Sequence, residues 1–362
     1  MTALQQSSGQ VQKSRRSSAA SRVTGLDAAR VLATFGIVWV HVAEIQRQPE
    51  NLSTLGRFGT SFYTLAALFL SSRAYFLGST IAPSEVVRRR AKRLLVPYVI
   101  WCALYAVFYF VTMYPQGQSV GVITRYWGPL FGTSPHLWFL PFAFCAGALA
   151  SYAVPQLMRW PSWLLLVGGS ALTLCAYIYV HGTGGMLIPE TLIETLHLHR
   201  LERWLEEAPL VCAALFGLSL YGKHMTRLGR VGKNARMRVA WIALAVFVAV
   251  QVTYGLCLED WAPRFGSRVR FMANLAGAAW LVVFVAARDG KWIKKIAPYG
   301  RATYFAYLSH QMILDALKRA LSYLPGYGHV WFAFASALLV FCAAVGLGRL
   351  VARVRLLRWL SP

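Results

Sequence analysis

Apolar runs of about 20 residues recur along the chain, separated by short segments that collect most of the charge. That length is what a helix needs to cross a hydrocarbon core of ~30 Å. The runs fall at about 27–45, 58–81, 94–114, 136–154, 162–180, 208–222, 239–258, 269–287, 297–316 and 329–349. In lipid the backbone must satisfy its polar groups within the segment, so the pattern predicts ten helices and an all-α polytopic membrane protein. An even number of crossings returns both termini to one side. Residues 1–23, polar and rich in Ser and Gln, are expected to form a disordered basic tail, and 24–362 one transmembrane domain. The first apolar run is full length and lacks a small-residue cleavage site, so no cleavable signal peptide is expected.

Two connecting segments are longer than a simple turn requires. One, 115–135, carries Tyr126, Trp127 and Pro129. The other, 181–207, has apolar positions at Leu192, Leu196, Leu201 and Trp204, spaced as in an amphipathic helix lying on the outer face. There is no internal repeat and no phosphate-binding loop of the Walker type.

Composition changes the picture little and charge changes it more. The chain is 57% hydrophobic and 14% charged, whereas a soluble protein carries nearer a quarter charged residues. The net charge of +24 is not gathered on one soluble surface, which argues against nucleic acid as a partner. Its distribution orients the chain instead. The tail, the even-numbered connections and the C-terminal segment from Arg349 hold 24 Lys and Arg and the opposite connections nine, which predicts that both termini are cytoplasmic. All six cysteines lie inside apolar runs without a CxxC pair, and read as packed thiols.

An ionisable side chain at bilayer depth costs at least ~2.5–3.5 kcal/mol, so it needs a reason. Arg30, His41, Arg73 and His310 stand out. Arg30 and His41 are eleven residues apart on the first helix, on one face and ~16 Å apart along its axis. Asp27 and Thr34 share that face, and Glu44 follows His41 by three residues, where it could hold the ring. With the termini inside, Arg30 and Arg73 lie toward the cytoplasm, while His41 and His310 lie past the midplane. A guanidinium is suited to phosphate, and an imidazole can take a proton from a hydroxyl near neutral pH. That polarity suits a polyanionic cytoplasmic thioester such as acetyl-CoA below and a hydroxyl-bearing acceptor above. Plainer roles stand beside these: snorkelling for Arg30, a packing salt bridge for Arg73, helix-to-helix hydrogen bonds for His41 and His310. The run Arg88, Arg89, Arg90, Lys92, Arg93 reads by default as a topology anchor that binds anionic lipid. His136, His181, His197, His199, His224 and His329 fall at boundaries or in connections, and no metal site is expected.

Four segments, in order, resemble the membrane-bound acyltransferase 3 family, bacterial O-acyltransferases of surface and exopolysaccharides. GLDAARVLATFGIVWVHVAE is similar to its first helix, with Arg30 and His41 at the family spacing. RRRAKRLLVPYVIW resembles its basic loop, with Arg90 and Arg93 as the RxxR pair. HLWFLPFAF resembles its HLWFL helix start, and YFAYLSHQM its YLxH, which carries His310. The likeness runs from about Gly25 to the end. It implies acyl-CoA as donor with no metal, a histidine-dependent transfer, and a place in the bacterial inner membrane. It implies as catalytic residues His41, Arg30 and His310, and as substrate-binding residues Arg90 and Arg93, to which the positions of Arg73 and Glu44 add two more substrate-binding candidates. The second helix departs from the family's Ser-Gly-aromatic step, with Ser71, Ser72 and Arg73 in its place. The acidic stretch of one large branch is also missing, which leaves the chain nearest to stand-alone members that acetylate capsule or xanthan-like polysaccharide. The acceptor is then a glycan or lipid-linked oligosaccharide and the acyl group by default acetyl. The competing function is a transporter or flippase, which predicts paired interrupted helices that the sequence does not display.

Overall fold

The computed structural model describes residues 24–48, 55–76, 78–113, 132–134, 136–179, 201–227, 277 and 291–354. The described residues form helices and no strands. They are α1 (Thr24–Ile45), α2 (Phe58–Phe76), α3 (Pro83–Met113), α4 (Phe139–Leu157), α5 (Ser162–Tyr177), the short α6 (Leu201–Glu206), α7 (Ala208–Arg227), the short α8 (Lys291–Ile296), α9 (Thr303–Ser322) and α10 (Val330–Arg353). Single 3₁₀ turns at Leu55–Arg57 and Ala297–Arg301 lead into α2 and α9. Five of the helices are long and apolar enough to cross a membrane. The expected tail and the expected span at 239–258 lie outside the described residues. So does the span at 269–287, except Gly277, which is helical, buried, and set against Phe58, Ser61 and Phe62.

Several expected boundaries move for one reason: hydropathy sees the apolar part of a helix and not its polar turns. The largest correction concerns the basic loop at 82–93. It is the start of α3, with Pro83 at the first position, Glu85 in the first turn, and a run of Arg, Lys and Ala that favours helix. Arg88 and Arg89 reach back to Glu85 at 2.8 and 2.6 Å, as neighbours one turn apart do. Likewise α10 runs on to Arg353 and α7 to Arg227, past their apolar cores.

The bundle is inside out relative to a soluble protein. Val99, Val107, Val111, Trp163, Val167, Trp331 and Leu350 are exposed, which only a lipid surround makes favourable. Cys145, Cys175 and Cys342 are exposed too, which corrects the expectation of packed thiols for those three. Helix α1 is the central element. It touches α2, α8, α9, α10 and the turn before α9, and 61% of its most apolar stretch is buried against 28% for α3. Small residues let it approach so closely. A Cβ on Gly36 would stand 2.9 Å from the Gly56 carbonyl oxygen, and one on Gly59 would strike the Ala33 carbonyl. Such backbone contact is how helices associate where lipid removes the hydrophobic drive.

The chain order of contacts fixes two ends. Residues near 24–30, 67–76, 85–93, 147–160, 221–227 and 297–304 share one end, which carries the basic runs. Residues near 41–48, 56–60, 109–112, 132–138, 204–208 and 315–336 share the other.

Candidate active site

At the basic end the site begins with an ion pair. Arg30 Nη1 lies 3.0 Å from Asp27 Oδ1, and the Asp27 side chain is 4% exposed. The turn before α9 seals this carboxylate, since a Cβ on Gly300 would meet Asp27 Cβ at 2.8 Å. Arg30 is thus held by a buried partner one turn away and keeps part of its guanidinium accessible. One turn higher, the Thr34 hydroxyl donates to the Arg30 carbonyl at 2.8 Å and pairs with the Tyr63 hydroxyl at 2.6 Å. Tyr63 continues as a stack of rings through Phe139 and Tyr307 toward the far end.

The other basic residues separate. Arg90 leaves the helix surface and enters the interface between α2 and α4. Its Nη2 donates to the Ala67 carbonyl at 2.7 Å, in a space left free by Gly147, whose Cβ would fall 2.7 Å from Arg90 Nη1. Arg93 is exposed, and its carbonyl accepts from the Tyr304 hydroxyl at 3.2 Å. Arg73 is half-buried in the last turn of α2. The pair that sequence treats as equivalent therefore divides into a member reaching between helices and an exposed member. Arg90→Ala is expected to cost on the order of 1.5–3 kcal/mol of stability, the usual size for a hydrogen bond from a charged donor. Arg93→Ala should leave stability alone. Thermal unfolding in detergent separates the two, and an Arg90→Ala protein that melts with the wild type would show that the buried anchor contributes nothing.

At the far end three histidine rings converge. His41 on α1 and His310 on α9 have centroids 5.3 Å apart, and His136, just before α4, lies 4.7 Å from His310 and 6.3 Å from His41. Their hydrogen bonds assign tautomers. His310 Nδ1 lies 2.7 Å from the Tyr307 carbonyl, which can only accept, so Nδ1 carries the proton. Its Nε2 is then a lone pair, wholly buried and without a hydrogen-bond partner. His136 has the reverse arrangement, with Nε2 on the Leu308 carbonyl at 3.3 Å and Nδ1 beside the Ser134 hydroxyl at 3.0 Å. His41 Nδ1 faces Glu44 Oε2 at 3.6 Å, in ion-pair range though longer than a hydrogen bond. This leaves Nε2 of His41 as its nitrogen for proton transfer. Among the described residues no set of His, Cys, Asp and Glu side chains has the geometry of a metal site.

The surroundings hold these rings through backbone contacts. The Tyr105 hydroxyl donates to the Leu308 carbonyl at 2.8 Å and accepts from the Met312 amide at 3.1 Å, bracketing the turn of α9 that carries His310. The Tyr307 hydroxyl donates to the His136 carbonyl. The segment bearing His136 is fixed in turn by Thr133, which donates to the Cys102 carbonyl at 2.9 Å, and by Gly132 at φ 72°, where a Cβ would meet Leu137 Cβ at 2.7 Å. A side chain at 132 would be both strained and blocked.

A cavity of about 320 Å³ opens beside the rings. One face of α1 (Ile37, Val40, His41, Glu44) forms a wall, with His136, Trp138, Phe139 and Tyr307 opposite. Arg57, Glu206 and Glu207 complete it. His41, 15% exposed, reaches the cavity, while His310 stands behind it, fully buried. Two expectations need correction here. His136 is part of the cluster although its sequence position reads as a boundary; the HLWFL start is the one signal that could have flagged it. The end of the segment read as an outer-surface amphipathic helix turns inward: Trp204 packs edge-on against Phe142 at 5.6 Å, and Glu207 is buried with Thr64 donating to it at 3.3 Å. The part of that segment before residue 201 lies outside the described residues.

No curated protein and no solved structure matches the chain. A family model described as an acyltransferase domain matches residues 23–349, from the start of α1 nearly to the end of α10, and so takes in Arg30, Arg90, Arg93 and all three clustered histidines. A bundle of apolar helices with this match along almost its whole length is a membrane acyltransferase, and the chain belongs to the acyltransferase 3 family.

Proposed function

We propose that the protein moves an acyl group, by default acetyl, from cytoplasmic acyl-CoA to a sugar hydroxyl of an exopolysaccharide or lipid-linked oligosaccharide across the bacterial inner membrane. The observation that carries this reading is the division of α1, with Arg30 at the basic end and His41 eleven residues on, at the cavity. The termini and the basic end then face the cytoplasm, in keeping with the excess of Lys and Arg there. Phosphates of the donor settle near Arg93 and Arg30, and the thioester extends along α1 past Tyr63 and Tyr307. His41 Nε2 takes the proton of the acceptor hydroxyl as its oxygen bonds to the thioester carbonyl carbon. The carbon–sulfur bond breaks, and the same proton passes to the departing thiolate, so that an ester and a free thiol result. Glu44 steadies the charged imidazole in between.

Purified protein in detergent, given acetyl-labelled acetyl-CoA and the host's surface polysaccharide, is expected to place label in a base-labile ester on the glycan. Label that stays on the donor with every glycan fraction would return the buried charges to the competing role of lining a transport path.

A further inference from the structure

The cavity that receives the acceptor carries its own selection. Its lining sets three carboxyl side chains, Glu44, Glu206 and Glu207, against one guanidinium, Arg57. Glu44 belongs to α1, whereas Glu206 ends α6 and Glu207 follows it in the turn before α7. The carboxyl groups therefore come from separate elements and are not a stripe on one helix. Glu207 is 9% exposed and anchored by Thr64, so it is a built part of the wall. The wall adjoins the proposed reacting group, since His41 lines the same cavity. Behind His41 and His136, at 5.3 and 4.7 Å between rings, the fully buried His310 keeps an Nε2 without a hydrogen-bond partner. Such an orphaned nitrogen is costly unless a reacting group completes it.

From this arrangement we infer that the acceptor subsite takes an uncharged sugar residue and refuses one that bears a carboxylate or phosphate. The inference rests on the acyl-transfer reading above and adds the chemical class of the acceptor to it. Sugar hydroxyls are donors as well as acceptors, so they replace their lost water with carboxylate oxygens. The indole of Trp138 and the ring of Phe139 supply the apolar surface of the same wall. An anionic substituent meets three groups of the same sign for one of opposite sign, in a space partly shielded from screening water. At 320 Å³ the cavity is at the small end for ligand sites, which suits one terminal sugar rather than a length of polymer.

The test pairs methyl glucoside with methyl glucuronide, which differ by the carboxylate, and reads binding by thermal shift of the detergent-solubilised protein. Binding does not depend on which hydroxyl is acylated. The glucoside is expected to bind on the order of tenfold or more tightly than the glucuronide, and the gap should shrink as salt rises. In Glu206→Gln/Glu207→Gln protein the gap should close by most of that factor. Equal binding of the two sugars by the wild type, or an unchanged gap in the double variant, overturns the inference. Should the double variant fail to fold because Glu207 is buried, Glu206→Gln alone replaces it, with a smaller closure expected. Label transfer from acetyl-CoA is measured on the same preparation. Discrimination in binding without transfer to any glycan overturns the acyl-transfer reading alone, and transfer with no discrimination overturns the charge selection alone.

Discussion

His41→Gln protein is expected to fold, to bind acetyl-CoA as the wild type does, and to lose about 10²- to 10⁴-fold in acyl transfer, the usual contribution of a positioned base. Glutamine keeps a similar length and a donor that can still face Glu44, but it has no nitrogen that exchanges a proton near neutral pH. An alcohol is a weak nucleophile until its proton is taken, so the loss should appear in kcat, with little change in the KM for donor. His41 is only 15% exposed, and it is placed by its Glu44 contact and by the close approach of α1 to α2 on the adjoining face. His41→Ala should be as inactive as the Gln variant. Transfer by the Gln variant within a few-fold of wild type, measured as ester on the glycan, would leave His41 a packing residue and remove the proton step proposed for it.

What the sequence disclosed depends on how far each feature is encoded locally. The Arg30 and His41 relationship is contained in a single helix, so periodicity alone places both on one face. The approach of His41 and His310 requires only that two helices carry them at matching depth, and the structure brings the rings to 5.3 Å. His136 belongs to another class. Its position is set by the Tyr307 hydroxyl on its carbonyl, by its own ring on the Leu308 carbonyl, and by a glycine turn before it. None of these is visible without knowing that α3, α4 and α9 meet there. The same holds for Glu206 and Glu207, where an amphipathic pattern gives the existence of an apolar side and not the direction in which the chain turns it. Arg90 shows the opposite difficulty. Its neighbours in sequence are surface cations, and only the small residue Gly147 on a distant helix makes room for it inside. Hydropathy places the start of α3 too late, since Arg and Lys support α-helix as well as apolar residues do.

His310 provides the second large effect and a way to separate its two nitrogens. Its Nδ1 donates to the Tyr307 carbonyl one turn back, and its Nε2 is the unpartnered lone pair among the three rings. Asparagine places an amide nitrogen near Nδ1 and nothing near Nε2, while glutamine reaches toward Nε2. A residue needed only for its bond to Tyr307 should accordingly be rescued by His310→Asn. A residue that works through Nε2 should not. We expect His310→Asn to retain the thermal stability of the wild type to within about 1 kcal/mol, the scale of one hydrogen bond, since the donor is kept. Transfer should nevertheless fall by about 10²-fold or more, because the site beside His41 has lost its basic nitrogen. His310→Gln puts an amide where the lone pair was, and should be no more active, though it gives up the Tyr307 bond and so melts lower. The informative quantity is the ratio of transfer to folded protein for the two variants. If Asn restores transfer to near the wild-type rate, the buried Nε2 is a passive vacancy, and the histidine cluster reduces to His41 with His136 as its neighbour. If both variants fold and neither transfers, the ring nitrogen that faces no protein partner is the one that the reacting groups use, and His310 joins His41 in moving the proton.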